Sequence, residues 1–112
     1  MPSAMFNIKQ PLWLAPMDDI TDRPFRAICK SLGADIVVTE FTSCEALIRS
    51  IPKALERIRI RDEERPVGIQ IFGANPQSIQ RAVQIIEPLN PEMIDINCGC
   101  WSKTHAQRGE GA

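Results

Sequence analysis

No run of apolar residues in this 112-residue sequence approaches the roughly 20 needed to span a bilayer, which excludes a membrane-spanning helix. Residues 1–10 show no charged segment leading into an apolar core, so no secretory signal is expected. The expectation is a cytoplasmic protein whose four cysteines, Cys29, Cys44, Cys98 and Cys100, stay reduced. An excess of positive charge is also missing. Thirteen basic residues against fourteen acidic ones give a net charge of −1. A protein that coats a polyanion by charge alone would be basic, so that class is excluded, although one part of a nucleic-acid enzyme is not. There is no Gly-x-Gly-x-x-Gly run, no phosphate-cradling P-loop, no internal repeat, no low-complexity tract and no flexible linker. What is present is ordinary: 44% hydrophobic and 24% charged residues, against global disorder and in favour of one domain at most.

The pattern along the chain is a repeated alternation. Pro11-Leu-Trp-Leu-Ala-Pro16 reads as a buried strand closed by proline. Thr21 or Asp22 can cap a helix with Pro24 in its first turn. Phe25, Ile28, Cys29 and Leu32 then fall at i, i+3, i+4 and i+7, and Gly33 supplies the stop. Residues 35–39 are a β-branched strand. Ser43 caps a helix that Pro52 interrupts, and Ala54, Leu55 and Ile58 resume a weaker pattern. Residues 66–72 are a third strand. Asn75-Pro76 opens a helix carrying Ile79, Ala82, Val83 and Ile86, and residues 93–97 are a fourth strand. The strand centres near Leu14, Val38, Ile69 and Ile94 lie 24, 31 and 25 residues apart, the rhythm of βα units on a parallel sheet. Two architectures fit, a doubly wound sheet or half of a (β/α)₈ barrel. The first strand-to-helix turn, Ala15-Pro-Met-Asp-Asp-Ile-Thr21, contains no glycine, which counts against a dinucleotide-binding fold.

Barrel chemistry sits at strand C-terminal ends, and three strand ends here carry polar residues. The second ends in Thr39-Glu40. The third carries Gln70, which by alternation shares a face with Gly68 and Phe72, opposite Ile69 and Ile71. The fourth carries Asp95 and Asn97 opposite Ile94 and Ile96. An amide such as Gln70 offers a donor and an acceptor together, suited to the edge of a flat heterocycle such as a flavin or a uracil. Cys98-Gly-Cys100 follows directly. Its spacing rules out a Cys-x-x-Cys redox pair, and too few further ligands remain for a structural metal. A thiol with its ordinary pKa of about 8.5 is mostly protonated at neutral pH, so one of the two can act as a general acid. Lys103, His105 and Arg108 could meet phosphate, and Trp101 could cover the site. The basic stretch from Arg49 to Arg61 reads as a solvated helix face, and Cys29 and Cys44 as packing residues.

Taken in order, these segments resemble the N-terminal part of the tRNA-dihydrouridine synthases. Leu14-Ala-Pro-Met-Asp-Asp-Ile-Thr-Asp-Arg-Pro-Phe-Arg26 is similar to the family's opening signature, Gly33-Ala-Asp-Ile-Val-Val-Thr-Glu40 to its second strand, and Pro66-Val-Gly-Ile-Gln-Ile-Phe-Gly73 to its third. Ile94-Asp-Ile-Asn-Cys-Gly-Cys100 resembles the family's Asp-x-Asn-x-Gly-Cys-Pro piece. Trp101 stands where the family has proline, Thr104-His105 replaces a lysine-valine pair, and Glu110 breaks a Gly-Ala-Gly-Ala run.

The resemblance implies an α/β fold, the N-terminal half of a (β/α)₈ barrel holding FMN. Residues 1–112 would supply four of the eight strands, without the remaining half or the helical domain that helps grip tRNA. Position by position it implies that Pro16, Met17 and Asp18 form the turn against the flavin, that Gln70 and Asn97 bind it, and that Cys100 is the catalytic acid. NADPH would reduce FMN, hydride would go to C6 of a uracil in tRNA, and the cysteine would protonate C5. No membrane and no metal are expected, and the chain alone is expected to be inactive. The rival readings are another FMN barrel acting on a small molecule, in the manner of dihydroorotate dehydrogenase, and a non-catalytic half-barrel binding module.

Overall fold

A computed structural model describes residues 7–99 together with Gln107 and Gly109. Its strands and helices follow in the order β1 (Trp13–Leu14), α1 (Arg23–Ser31), β2 (Ile36–Val38), β3 (Thr42–Ser43), α2 (Cys44–Ile48), α3 (Pro52–Arg57), β4 (Val67–Phe72), α4 (Pro76–Ile86) and β5 (Met93–Ile96). All pairings are parallel. β1 lies beside β2, and β2 beside the first half of β4, with Val37 opposite Val67. β3 lies beside the last residues of β4, with Thr42 opposite Ile71, and β5 pairs with the other edge of β4, with Gln70 opposite Asp95. β2 and β3 are therefore two pieces of one strand position. The four positions run across the sheet in sequence order. A doubly wound sheet needs a reversal of that order; the first half of a (β/α)₈ barrel does not.

The helices start where the capping residues stand. Asp22 Oδ1 accepts from the Phe25 N–H at 3.0 Å, Ser43 Oγ from Ala46 N–H at 3.3 Å, and Asn75 Oδ1 from Ser78 N–H at 2.9 Å. Pro24, Pro52 and Pro76 sit in first turns, where a missing N–H costs nothing. Gly33 ends α1 at φ +111°, a backbone angle that an L side chain rarely adopts. Ile69 and Ile71 turn to the helical side and are fully buried with Cys44, Leu47, Ala82 and Ile86. Burying each isoleucine contributes about 1.5–3 kcal/mol. At the N-terminal ends of β4 and β5, Arg65 donates to Asp62 at 3.0 Å and to Glu92 at 2.9 Å, and Glu92 accepts from the Val67 N–H at 2.7 Å. Those two side-chain hydrogen bonds push the Arg65 pKa up from the ordinary arginine value.

Three features depart from the sequence expectation. The strand expected over residues 35–39 breaks at Thr39 and resumes as β3. At the break, Thr39 Oγ1 accepts from the Gln70 N–H at 3.1 Å, so a hydroxyl stands in for a ladder carbonyl. The apolar stripe of α1 is on one face but open. Ile28 is 58% and Leu32 81% exposed, and the buried residue of this helix is Arg26. In the basic stretch, Arg57 is not solvated: its side chain is 17% exposed and turned toward the end of the sheet.

Candidate active site

The opposite face of β4 carries Gly68, Gln70 and Phe72 in succession, and β5 sets Met93 and Asp95 beside the first two. Gly68 leaves the room that the Met93 side chain fills, since a Cβ there would meet it at 2.7 Å. Above it lies a row of amide and carboxylate groups. Gln70 Nε2 donates to Asp95 Oδ2 at 2.6 Å. Asn97 Nδ2 donates to Gln70 Oε1 at 3.4 Å, and Asn97 Oδ1 accepts from the Gly99 N–H at 3.2 Å. The Asn97 N–H donates to the Ile71 carbonyl at 2.9 Å, which extends the β4–β5 pairing past the strand end and fixes where the Asn97 side chain leaves the backbone. Gln70 is 6% exposed, so its amide is held by protein partners rather than by bulk water. Among the described residues, each of its two polar atoms still has one hydrogen-bonding capacity left, a donor on Nε2 and an acceptor on Oε1. The edge of a planar ring with alternating donors and acceptors would match that pair.

The turn after β1 is the second sequence-predicted segment. Pro16 is half-buried, and Met17 and Asp18 are exposed. The turn is not loose. Ile20 N–H and Thr21 N–H both donate to the Met17 carbonyl, at 3.1 and 2.9 Å, and Thr21 Oγ1 accepts from the Met17 N–H at 3.0 Å. Thr21 is fully buried, and its carbonyl accepts from Arg26 Nη1 at 2.7 Å. Arg26 Nε in turn donates to Glu64 Oε1 at 2.6 Å, an ion pair with both side chains 3% exposed. From the other side, Glu40 Oε1 accepts from the Asp19 N–H at 2.7 Å, and Arg57 Nη2 contacts Asp18 Oδ1 at 2.8 Å.

Asp18, Asp19 and Glu40 bring carboxylate oxygens within 4.8 Å of one another, and the Arg57 guanidinium supplies the nearby positive charge. Between α1 and α3 runs a groove of about 1020 Å³ whose lining has equal numbers of acidic and basic side chains, so it offers an anion no net attraction. At its rim, burial pulls the Lys30 ammonium below its ordinary pKa, against the raising influence of Asp35.

The fold thus brings together Gln70, Asn97 and Asp95 at one level, and holds Pro16, Met17 and Asp18 in a pinned turn. Cys98 is exposed beyond the end of β5, while Cys44 is buried in the core and Cys29 is half-buried. Cys100, Lys103 and Arg108, with Trp101 and His105, lie outside the described residues. The contributions of Thr21, Arg26, Glu64 and Arg57 to the turn were missed in the sequence: the Thr21 bonds to Met17 and Arg26 are local, but the Arg26–Glu64 and Arg57–Asp18 pairs join distant segments. No described helix is long and apolar enough to cross a membrane.

A family model described as "Dihydrouridine synthase (Dus)" matches residues 13–112. A probable tRNA-dihydrouridine synthase of Aquifex aeolicus is 46% identical over 89 residues, covering 78% of this chain and 28% of the relative. The tRNA-dihydrouridine synthase B of Xanthomonas axonopodis is 37% identical over 98 residues, 88% of this chain and 30% of the relative. The corresponding synthase B of Pseudomonas aeruginosa is 35% identical over 107 residues, 96% of this chain and 32% of the relative. The chain thus spans under a third of the length of these curated relatives. With a family match running from β1 through the Cys98-Gly-Cys100 segment, this chain belongs to the dihydrouridine synthase family.

Proposed function

We propose that these residues form the flavin-holding first half of an FMN-dependent tRNA-dihydrouridine synthase, a cytoplasmic enzyme with NADPH as reductant. The observation that carries this reading is the fixed Gln70–Asp95–Asn97 row at the C-terminal ends of β4 and β5, with a spare donor and acceptor on a buried amide. FMN, when bound, supplies the hydride. This chain's residues do the rest. Gln70 and Asn97 present hydrogen-bonding groups to the ring edge, and the turn of Pro16, Met17 and Asp18 walls the ring. Cys100 carries the proton for C5 of the uracil. A neutral thiol suits that role, because a group protonated at working pH can donate without prior activation. A uracil stacked within tRNA is out of reach of such a pocket, so the target base leaves its stack to enter. Lys103 and Arg108 are the residues of this stretch that meet the tRNA phosphates. The near-neutral charge of these residues assigns most of the tRNA grip to the rest of the protein. Alone, residues 1–112 bind no tRNA tightly and reduce no uridine.

Gln70→Leu tests the reading. It keeps the volume and removes both ring-facing polar atoms, leaving Asp95 without its donor. The suitable vehicle is a segment-swap protein in which residues 13–112 replace the matching part of the Pseudomonas aeruginosa synthase B. FMN fluorescence titration is expected to show affinity reduced by about tenfold to a hundredfold, the loss of one or two buried hydrogen bonds. Unchanged FMN affinity would remove Gln70 from the flavin site.

A further inference from the structure

Arg57 has no role in the reading above, yet three separate elements meet at it. Its Nη1 donates to the Phe41 carbonyl at 2.8 Å, in the link between β2 and β3. Its Nη2 lies 2.8 Å from Asp18 Oδ1, 3.7 Å from Asp19 Oδ1 and 3.9 Å from Glu40 Oε1. Glu40, with its side chain 11% exposed, accepts the Asp19 N–H through the same Oε1. The Phe41 ring packs on Phe72, centroids 4.5 Å apart, on the face of β4 that also carries Gln70. One guanidinium at the end of α3 therefore ties the turn after β1 to the end of β2 and to the wall that holds the buried amide. A planar fork that spans a carbonyl and a carboxylate at once is a geometry lysine cannot reproduce.

We propose that Arg57 is a positioning residue for the flavin-facing turn, holding residues 17–19 against the sheet through Asp18 and Glu40. The inference rests on the flavin reading of that turn. Removing the guanidinium has two consequences. The tie to Phe41 is lost, and three carboxylates with oxygens within 4.8 Å of one another are left without their counter-charge. Their repulsion drives Asp18 and Asp19 away from Glu40, and the turn swings off the ring. Arg57 touches neither ring nor substrate in this account. It acts through Asp18 and Glu40.

The test uses the same segment-swap protein, with FMN affinity and thermal unfolding midpoint measured side by side. Arg57→Ala is expected to weaken FMN binding about tenfold. Adding Glu40→Gln to Arg57→Ala keeps the acceptor for the Asp19 N–H but removes one repelling charge, and is expected to recover about threefold of that loss. A merely structural role would lower the unfolding midpoint and leave FMN affinity where it was, so both the loss and its recovery are read in FMN affinity. Arg57→Lys keeps the charge and loses the fork. It is expected to weaken FMN binding about threefold, and it decides the matter if the alanine variant does not fold. FMN affinity unchanged in Arg57→Lys and Arg57→Ala, or no recovery on adding Glu40→Gln, overturns the inference. A swap protein that takes up no FMN before any substitution at Arg57 overturns instead the flavin reading beneath it.

Discussion

Replacing Arg26 by alanine is expected to destabilise the fold by about 3–5 kcal/mol, the cost of breaking a buried ion pair from one side. The side chains of Arg26 and Glu64 are each 3% exposed, and their ion pair is 2.6 Å long. A buried pair does not by itself add much stability, because desolvating both ions offsets most of their attraction. Breaking it is another matter. Arg26→Ala leaves the Glu64 carboxylate buried without its counter-charge, and the Thr21 carbonyl loses its donor as well. Thr21 in turn is the residue that closes the Met17 turn. The combined change Arg26→Met with Glu64→Leu removes both charges and is expected to cost less than the single substitution. It is not neutral, since Glu64 Oε2 also accepts from the Arg61 N–H at 2.7 Å. Urea denaturation of the three segment-swap proteins measures the order. A single-substitution cost below about 1 kcal/mol would mean that water reaches the pair, contrary to its burial.

The second large effect is on turnover. Cys100→Ala is expected to lower uridine reduction by about 10²- to 10⁴-fold, the range for loss of a positioned general acid, while FMN affinity stays as it was. The split is the informative part. Loss of turnover with the flavin retained assigns Cys100 to proton delivery. A parallel loss of flavin would make it a packing residue of the strand end. Cys98→Ala, two positions earlier, is the control and is expected to leave turnover within about threefold, as a residue without a chemical role should.

Much of this was legible in the sequence, for local reasons. The three helix caps and the first-turn prolines act within a few residues of themselves, so Ser43, Asn75 and the pair Thr21 or Asp22 could be read directly, and the structure forms the bonds of Ser43, Asn75 and, of that pair, Asp22. Period-two alternation put Gln70 opposite Ile69 and Ile71, and Asp95 opposite Ile94. Register then brings Gln70 and Asp95 side by side. What escaped depends on contacts between remote segments. Thr39 interrupts its strand because its hydroxyl serves the Gln70 N–H, and nothing in a β-branched run signals that. Arg57 sits among other basic residues on a short helix, where charge patterning favours a solvated face. Only the folded chain brings Asp18 to it. The α1 stripe has helical period, but periodicity says which residues share a face, not what covers that face. Among the described residues, Arg26 is what α1 buries.

In the proposed reading, residues 13–112 work as the flavin-holding half of a barrel that reduces uridine in tRNA. The most direct measurement is the dihydrouridine content, by mass spectrometry of nucleoside digests, of tRNA lacking the modification after incubation with NADPH and the FMN-loaded segment-swap protein. The account predicts that dihydrouridine appears, and that it does not with the Cys100→Ala form of the same protein. A swap protein that retains FMN and oxidises NADPH but leaves every uridine unreduced would contradict it.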